Sequence, residues 1–394
     1  MHPVRSAMIL LALFLCTSVC ALPQVVLSSK IQTEPTPPQR EGAVPVWSHS
    51  LPAINPQLRA VTAAALAPNG RCVAIAGSGK VEVLSVAGKL LWTWEYGKIN
   101  KFITAGGLAV SPSCDEIALV GNSGYRYTWL ADRGGLKVPI QTSSTPLGIA
   151  FSHDGELAVL GTGGCDLLLI GKSGELKSKK TYHDGLCILA DLSFSANDKF
   201  ILLQGWSTGI VRLDGTLLWD VPGWGMAASR DLQTFVTWFV PNHGPAVGDV
   251  SLRNAEGKEL WSRVAPGQAA AISASGDKIA APIYEEPEHD FSPAEWDKYQ
   301  EQPVEIQIIS HSGETLKTVS FEASEVLAMR PDGDRLLVRV PNFLEELDSG
   351  GNVILKIPDP QMSYSKVFVP DDFTGALLWL RNTPEGTVEW FSLK

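Results

Sequence analysis

Seven carboxylates crowd one stretch of this chain, "YEEPEHDFSPAEWDKYQEQP" from Tyr284 to Pro303: Glu285, Glu286, Glu288, Asp290, Glu295, Asp297 and Glu301 face a single Lys298. Glu285, Glu286, Glu288 and Asp290, with His289 among them, could bind a hard cation such as calcium. No ordered ligand spacing accompanies them, however, and charge runs are usually solvated, so no metal is expected. Two His-Asp-Gly triplets, at 153–155 and 183–185, read as ordinary turn chemistry. "GKSG" (171–174) is not a phosphate loop, because Asp166 stands where the first glycine is required. Neither a Gly-x-Ser-x-Gly elbow nor a His-Glu-x-x-His zinc motif occurs. Paired carboxylates facing a central channel could do hydrolase or lyase work, with Asp191 as one candidate. No cofactor is expected.

The elements that must position these residues are short apolar runs broken by Gly, Asp and Asn. The chain has 394 residues, 45% hydrophobic and 19% charged, with 36 Gly and 26 Pro, a composition suited to a turn-rich all-β protein. Small-residue strands followed by polar turns recur eight times. They begin with "AALAPNGR" (64–71) and "GLAVSPSCD" (107–115) and end with "LAMRPDGDR" (327–335) and "KVFVPDDFTG" (366–375). The period, mostly about 40 to 45 residues, is that of a four-stranded propeller blade. Each unit then offers three further strands, so the strands are named A to D.

The eighth unit ends without a D strand, while "AVPVWSHSLP" (43–52) stands alone before the first A strand. The expectation is a single propeller of eight blades, closed by the N-terminal strand completing the last one. Seven blades plus a stray element is the alternative.

Residues 1–21 read as a secretory signal: Arg5, an apolar run from Met8 to Cys16, and a small-residue cleavage site at Val19-Cys20-Ala21. A Pro-rich lead (22–43) follows, and the propeller is expected over 44–394. A secreted or periplasmic location follows, with no transmembrane segment after signal removal. A net charge of −10 argues against nucleic acid as a partner.

Three units share Gly-x-x-Leu-Trp before strand D: "GKLLW" (88–92), "GTLLW" (215–219) and "GKELW" (257–261). Here the chain resembles the PQQ-type, quinoprotein-like propeller repeat. The "SHDGELAVLGTG" hairpin resembles degenerate tryptophan-aspartate (WD) repeats. The first resemblance implies that Trp92, Trp219 and Trp261 dock between neighbouring blades. The family includes secreted dehydrogenases and periplasmic assembly scaffolds. Its dehydrogenases hold a quinone with adjacent cysteines, and no Cys-Cys pair occurs here.

Strand alternation puts A–B and C–D turns on one face of such a disc, the bottom, and B–C and D–A loops on the other. Cys72 and Cys114 then meet on the bottom, and Cys165 and Cys187 on top. Two disulfides are expected on that placement, with four free thiols as the alternative. The acidic stretch becomes the B–C loop of the sixth blade. It carries a short helix at Ser292-Pro293-Ala294-Glu295. Trp206, Trp224, Trp238, His243, Tyr284, Trp296 and Tyr299 cluster on the same face of units four to six. Aromatic side chains there suggest a recognition surface for a protein or envelope polymer, the insert acting as an arm or packing back as a lid. The reading is a non-catalytic binding module; the alternative is a propeller hydrolase or lyase with its site at the channel mouth.

Overall fold

The computed structural model describes residues 42–51, 61–98, 105–121, 126–182, 189, 191–205, 207–223, 225–239, 248–266, 269–284, 304–320, 325–359, 364–380 and 387–393. They form eight four-stranded antiparallel sheets, each in sequence order but one. The eight inner A strands are Ala63–Leu66, Ala105–Val110, Pro146–Phe151, Asp191–Phe194, Gly225–Ala228, Ala271–Ile272, Glu325–Met329 and Tyr364–Phe368. The eighth sheet takes its D strand from the other end of the chain: Trp47–Ser50 pairs with Thr387–Ser392, Trp47 opposite Trp390. Eight blades and ring closure are therefore as expected, and among the described residues no stray strand remains.

One turn builds all eight A–B hairpins. Its last residue sits in the left-handed region, at Gly70, Cys114, Gly155, Asp198, Leu232, Gly276, Gly333 and Phe373, with φ between 55° and 74°. Each of these donates its backbone N–H to the carbonyl three residues earlier, as Gly155 does to Ser152 at 3.1 Å. In five blades a serine opens the turn. Its Oγ accepts the N–H that starts strand B, as in Leu157 to Ser152 (3.0 Å) and Phe200 to Ser195 (3.0 Å). These serines are almost wholly buried, so the bond satisfies an otherwise orphaned donor.

Neighbouring blades are joined at the outer rim. Trp92 Nε1 donates to the Cys114 carbonyl (2.7 Å), Trp219 to Ala255 (3.1 Å) and Trp261 to His311 (3.2 Å), each in the next blade. The closing strand repeats this, Trp47 donating to Val86 (2.7 Å). Glycine permits the approach. A Cβ on Gly257 would lie 2.5 Å from the Trp219 ring, and the residue's φ of +78° already suits glycine. Docking of these tryptophans between blades, implied by the repeat resemblance, is thus seen directly.

Two further contacts brace the first junctions. Cys72 and Cys114 form a disulfide between blades 1 and 2, their Cα atoms 6.0 Å apart, on the bottom face. His49 of the closing strand bonds Glu82 of blade 1 at 2.7 Å. Burial alone would raise the Glu82 carboxyl, but Lys80 and His49 hold it below its ordinary value.

Candidate functional site

Eight A strands rich in Ala, Gly and Ser leave a central channel enclosing about 1110 Å³. Its wall is mostly uncharged. Ala63, Gly107, Gly148, Ala227, Ala271 and Ala328 represent six of the blades. The exceptions cluster in blades 3, 4, 5 and 8, at two levels.

At the upper level Asp191 opens the inner strand of blade 4, and Lys366 lies near the start of the inner strand of blade 8. Their side chains meet across the channel, Nζ to Oδ1 at 3.3 Å, and remain 52% and 66% exposed for the lysine and the aspartate. Lys366 Nζ also stands 5.3 Å from the centre of the Phe368 ring. Gln204, opposite Asp191 in the ladder, donates to the Met226 carbonyl at 3.4 Å. Trp238 of blade 5 lines the channel at this end. Its indole lies over Gly225, where an added Cβ would come within 2.3 Å of the ring.

At the lower level His153 occupies the A–B turn of blade 3. Its Nδ1 is 2.8 Å from Asp198 in the turn of blade 4, and its Nε2 is 3.7 Å from Asp371 in the turn of blade 8. The Asp198 carboxylate also accepts the backbone N–H groups of His153 (2.9 Å) and Asp154 (3.0 Å). Asp371 and Asp198 together, against the opposing effect of burial, push the imidazole up to about 9, so it is cationic at neutral pH. The closer carboxylate makes the hydrogen bond; Asp371 acts as a longer-range ion pair.

Sequence reasoning flagged Asp191 as an inward carboxylate but read His153 as turn chemistry only. The cue was available: His153 follows the turn serine that four other blades share. Asp191 and His153 lie at opposite ends of the channel, so they do not converge on one reacting group. Among the described residues no group of His, Cys, Asp or Glu side chains is arranged to hold a metal ion.

Of the expected rim residues, Trp238 faces the channel rather than standing out on the rim. Tyr284 is 6% exposed, just after strand B of blade 6, with its N–H donated to the Val264 carbonyl and its phenol pushed up by burial. A side chain so covered offers no open surface. It follows directly on strand Lys278–Ile283, and the apolar run "KIAAPIY" was the signal for its burial. Trp206, Trp224, His243, Trp296 and Tyr299, and the insert from Glu285 to Pro303, lie outside the described residues. So does Cys187; Cys165 is disulfide-bonded.

The fold is shared with a solved structure. BamB from Moraxella catarrhalis superposes with a TM-score of 0.59 at 12% identity, over 89% of this chain and 98% of that one. Hydrazine synthase from Kuenenia stuttgartiensis gives 0.49 at 14% identity, over 85% and 96%. No family model matches the sequence, and no curated protein does.

Proposed function

We propose that this chain is an exported, non-catalytic propeller scaffold that recognises a protein or envelope polymer through the B–C face of blades 4 to 6. The observation that carries this is an asymmetry of the disc. The A–B turns are short and built alike in all eight blades. On the other face, strands Thr234–Phe239 and Gly248–Asn254 of blade 5, and Lys278–Ile283 and Glu305–Ser310 of blade 6, are joined by far longer connections. Long connections on a rigid scaffold are where recognition residues are usually carried.

The Cys72–Cys114 disulfide supports an oxidising compartment, in accord with the signal-like residues 1–21. Among the described residues no helix is long and apolar enough to cross a membrane. The fold shared with BamB is compatible with a scaffold and does not by itself select one.

The test compares residues 44–394 with the same protein carrying a short Gly-Ser linker in place of Glu285–Gln302. Both are cross-linked in an envelope extract of the source cell, and the adducts are identified by mass spectrometry. Equal melting temperatures with loss of a specific adduct from the linker variant support recognition by the insert. Identical adducts from both proteins refute it.

A further inference from the structure

A solvated ion pair adds little stability, roughly 0 to 1 kcal/mol. Asp191 and Lys366 are more than half exposed, yet they occupy inner strands where other blades place Ala or Gly. Their pairing also needs two blades from opposite sides of the ring. Two opposite charges held on facing walls, with little to gain from each other, form a site that a better-matched ligand can open.

We propose that Asp191 and Lys366, with Trp238, form a binding site at the upper end of the channel for a small zwitterion of the amino-acid type. The ligand's ammonium takes the place of Lys366 against Asp191, and its carboxylate takes the place of Asp191 against Lys366. Three features of the wall suit this exchange. The carboxylate of Asp191 keeps acceptor capacity beyond its one bond to Lys366, and the ammonium keeps donor capacity. Lys366 has a second resting contact on the Phe368 ring, so withdrawal from Asp191 does not strand it. Trp238 belongs to the blade beside Asp191, and its indole, seated on Gly225, offers a fixed π-face to a bound cation. The other charged residues of the wall, His153, Arg230 and Asp371, belong to the A–B turns at the lower level, so neither end of the ligand has a charged competitor beside it. This site is independent of the insert and of the partner it is proposed to recognise.

The test is a calorimetric titration of residues 44–394 with ω-amino acids of increasing length: glycine, β-alanine, γ-aminobutyrate, δ-aminovalerate and ε-aminocaproate. Hexylamine and hexanoate serve as single-charge controls. Affinity should peak at one length, set by how far the two walls separate when the pair opens, and should be absent for both controls. Asp191→Asn and Lys366→Met should each weaken the best ligand about tenfold or more, as loss of a charged hydrogen bond does. Trp238→Leu should weaken it a few-fold. No binding by any member of the series overturns the proposal. So does binding without a length optimum, or binding unchanged in both charge variants. The length series uses the unaltered protein, so it remains decisive whatever the variants do to folding.

Discussion

The outer rim and the channel of this ring are built by opposite rules. At the rim one device recurs: a D-strand tryptophan reaches a carbonyl of the next blade, often over a left-handed glycine. In the channel the repeat supplies a plain wall of Ala and Gly, and each charged residue appears once. Rim contacts can be copied because every junction poses the same packing problem. Cross-channel contacts cannot be, because each joins blades with different partners. Repetition therefore marks what holds the ring, and departure from it marks contacts that only one pair of blades can make.

Four measurements would break or sharpen that contrast. The largest effect should come from Trp92→Ala, which empties a buried site and orphans the Cys114 carbonyl. A loss of about 3–5 kcal/mol is expected in denaturant unfolding; a loss below about 1 kcal/mol would remove the tryptophan from the structural rim. Next, replacing both Cys72 and Cys114 by alanine frees a loop spanning 42 residues. This should cost about 3–4 kcal/mol on the chain-entropy account, read by the same method.

His153→Asn should show a smaller, pH-dependent effect. The imidazole rises from 6.5 to about 9 on folding, so its stabilising contribution is complete below pH 6.5 and is lost as pH rises towards 9. The stability gap between wild type and variant should be widest at the acidic end of that window and close at its alkaline end. A gap independent of pH would mean that the side chain is held by shape and not by charge. Smallest of all should be Lys366→Met, with a change in melting stability of no more than about 1 kcal/mol. A larger loss would make the cross-channel pair part of the architecture, and the contrast between rim and channel would fail.

Local chemistry was legible in the sequence. Ser152-His153-Asp154-Gly155 and its cognates specify a turn through bonds only a few residues long, so their recurrence declared the blade count. Gly257 through Trp261 likewise predicts the rim contact, because glycine conformation and tryptophan placement are local. The Cys72–Cys114 bond followed from two cysteines near the A–B turns of consecutive blades. Lys366 escaped notice because it meets Asp191 only after half the ring has been traversed. No short-range pattern encodes the angle that brings blades 4 and 8 face to face. Trp238 was singled out as aromatic and near a strand end, but whether such a ring turns inward or outward depends on Gly225, a residue of another strand. Tyr284 borders the acidic stretch in sequence, and its burial was not legible there because it depends on contacts made in space.

The closing strand has a consequence in time. A chain made from its N-terminus produces Trp47–Ser50 early, yet the partner Thr387–Ser392 comes almost last. Until then the early strand has unpaired backbone on both sides and an exposed tryptophan, the features that recruit chaperones or invite misassembly. Blades 1 and 2 can meanwhile be welded together by their disulfide, independently of either terminus. Folding is then expected to have a fast phase set by individual blades and a slow one set by the meeting of the two ends. A lesion in residues 47–50 should be felt in that slow phase as well as in the melting point.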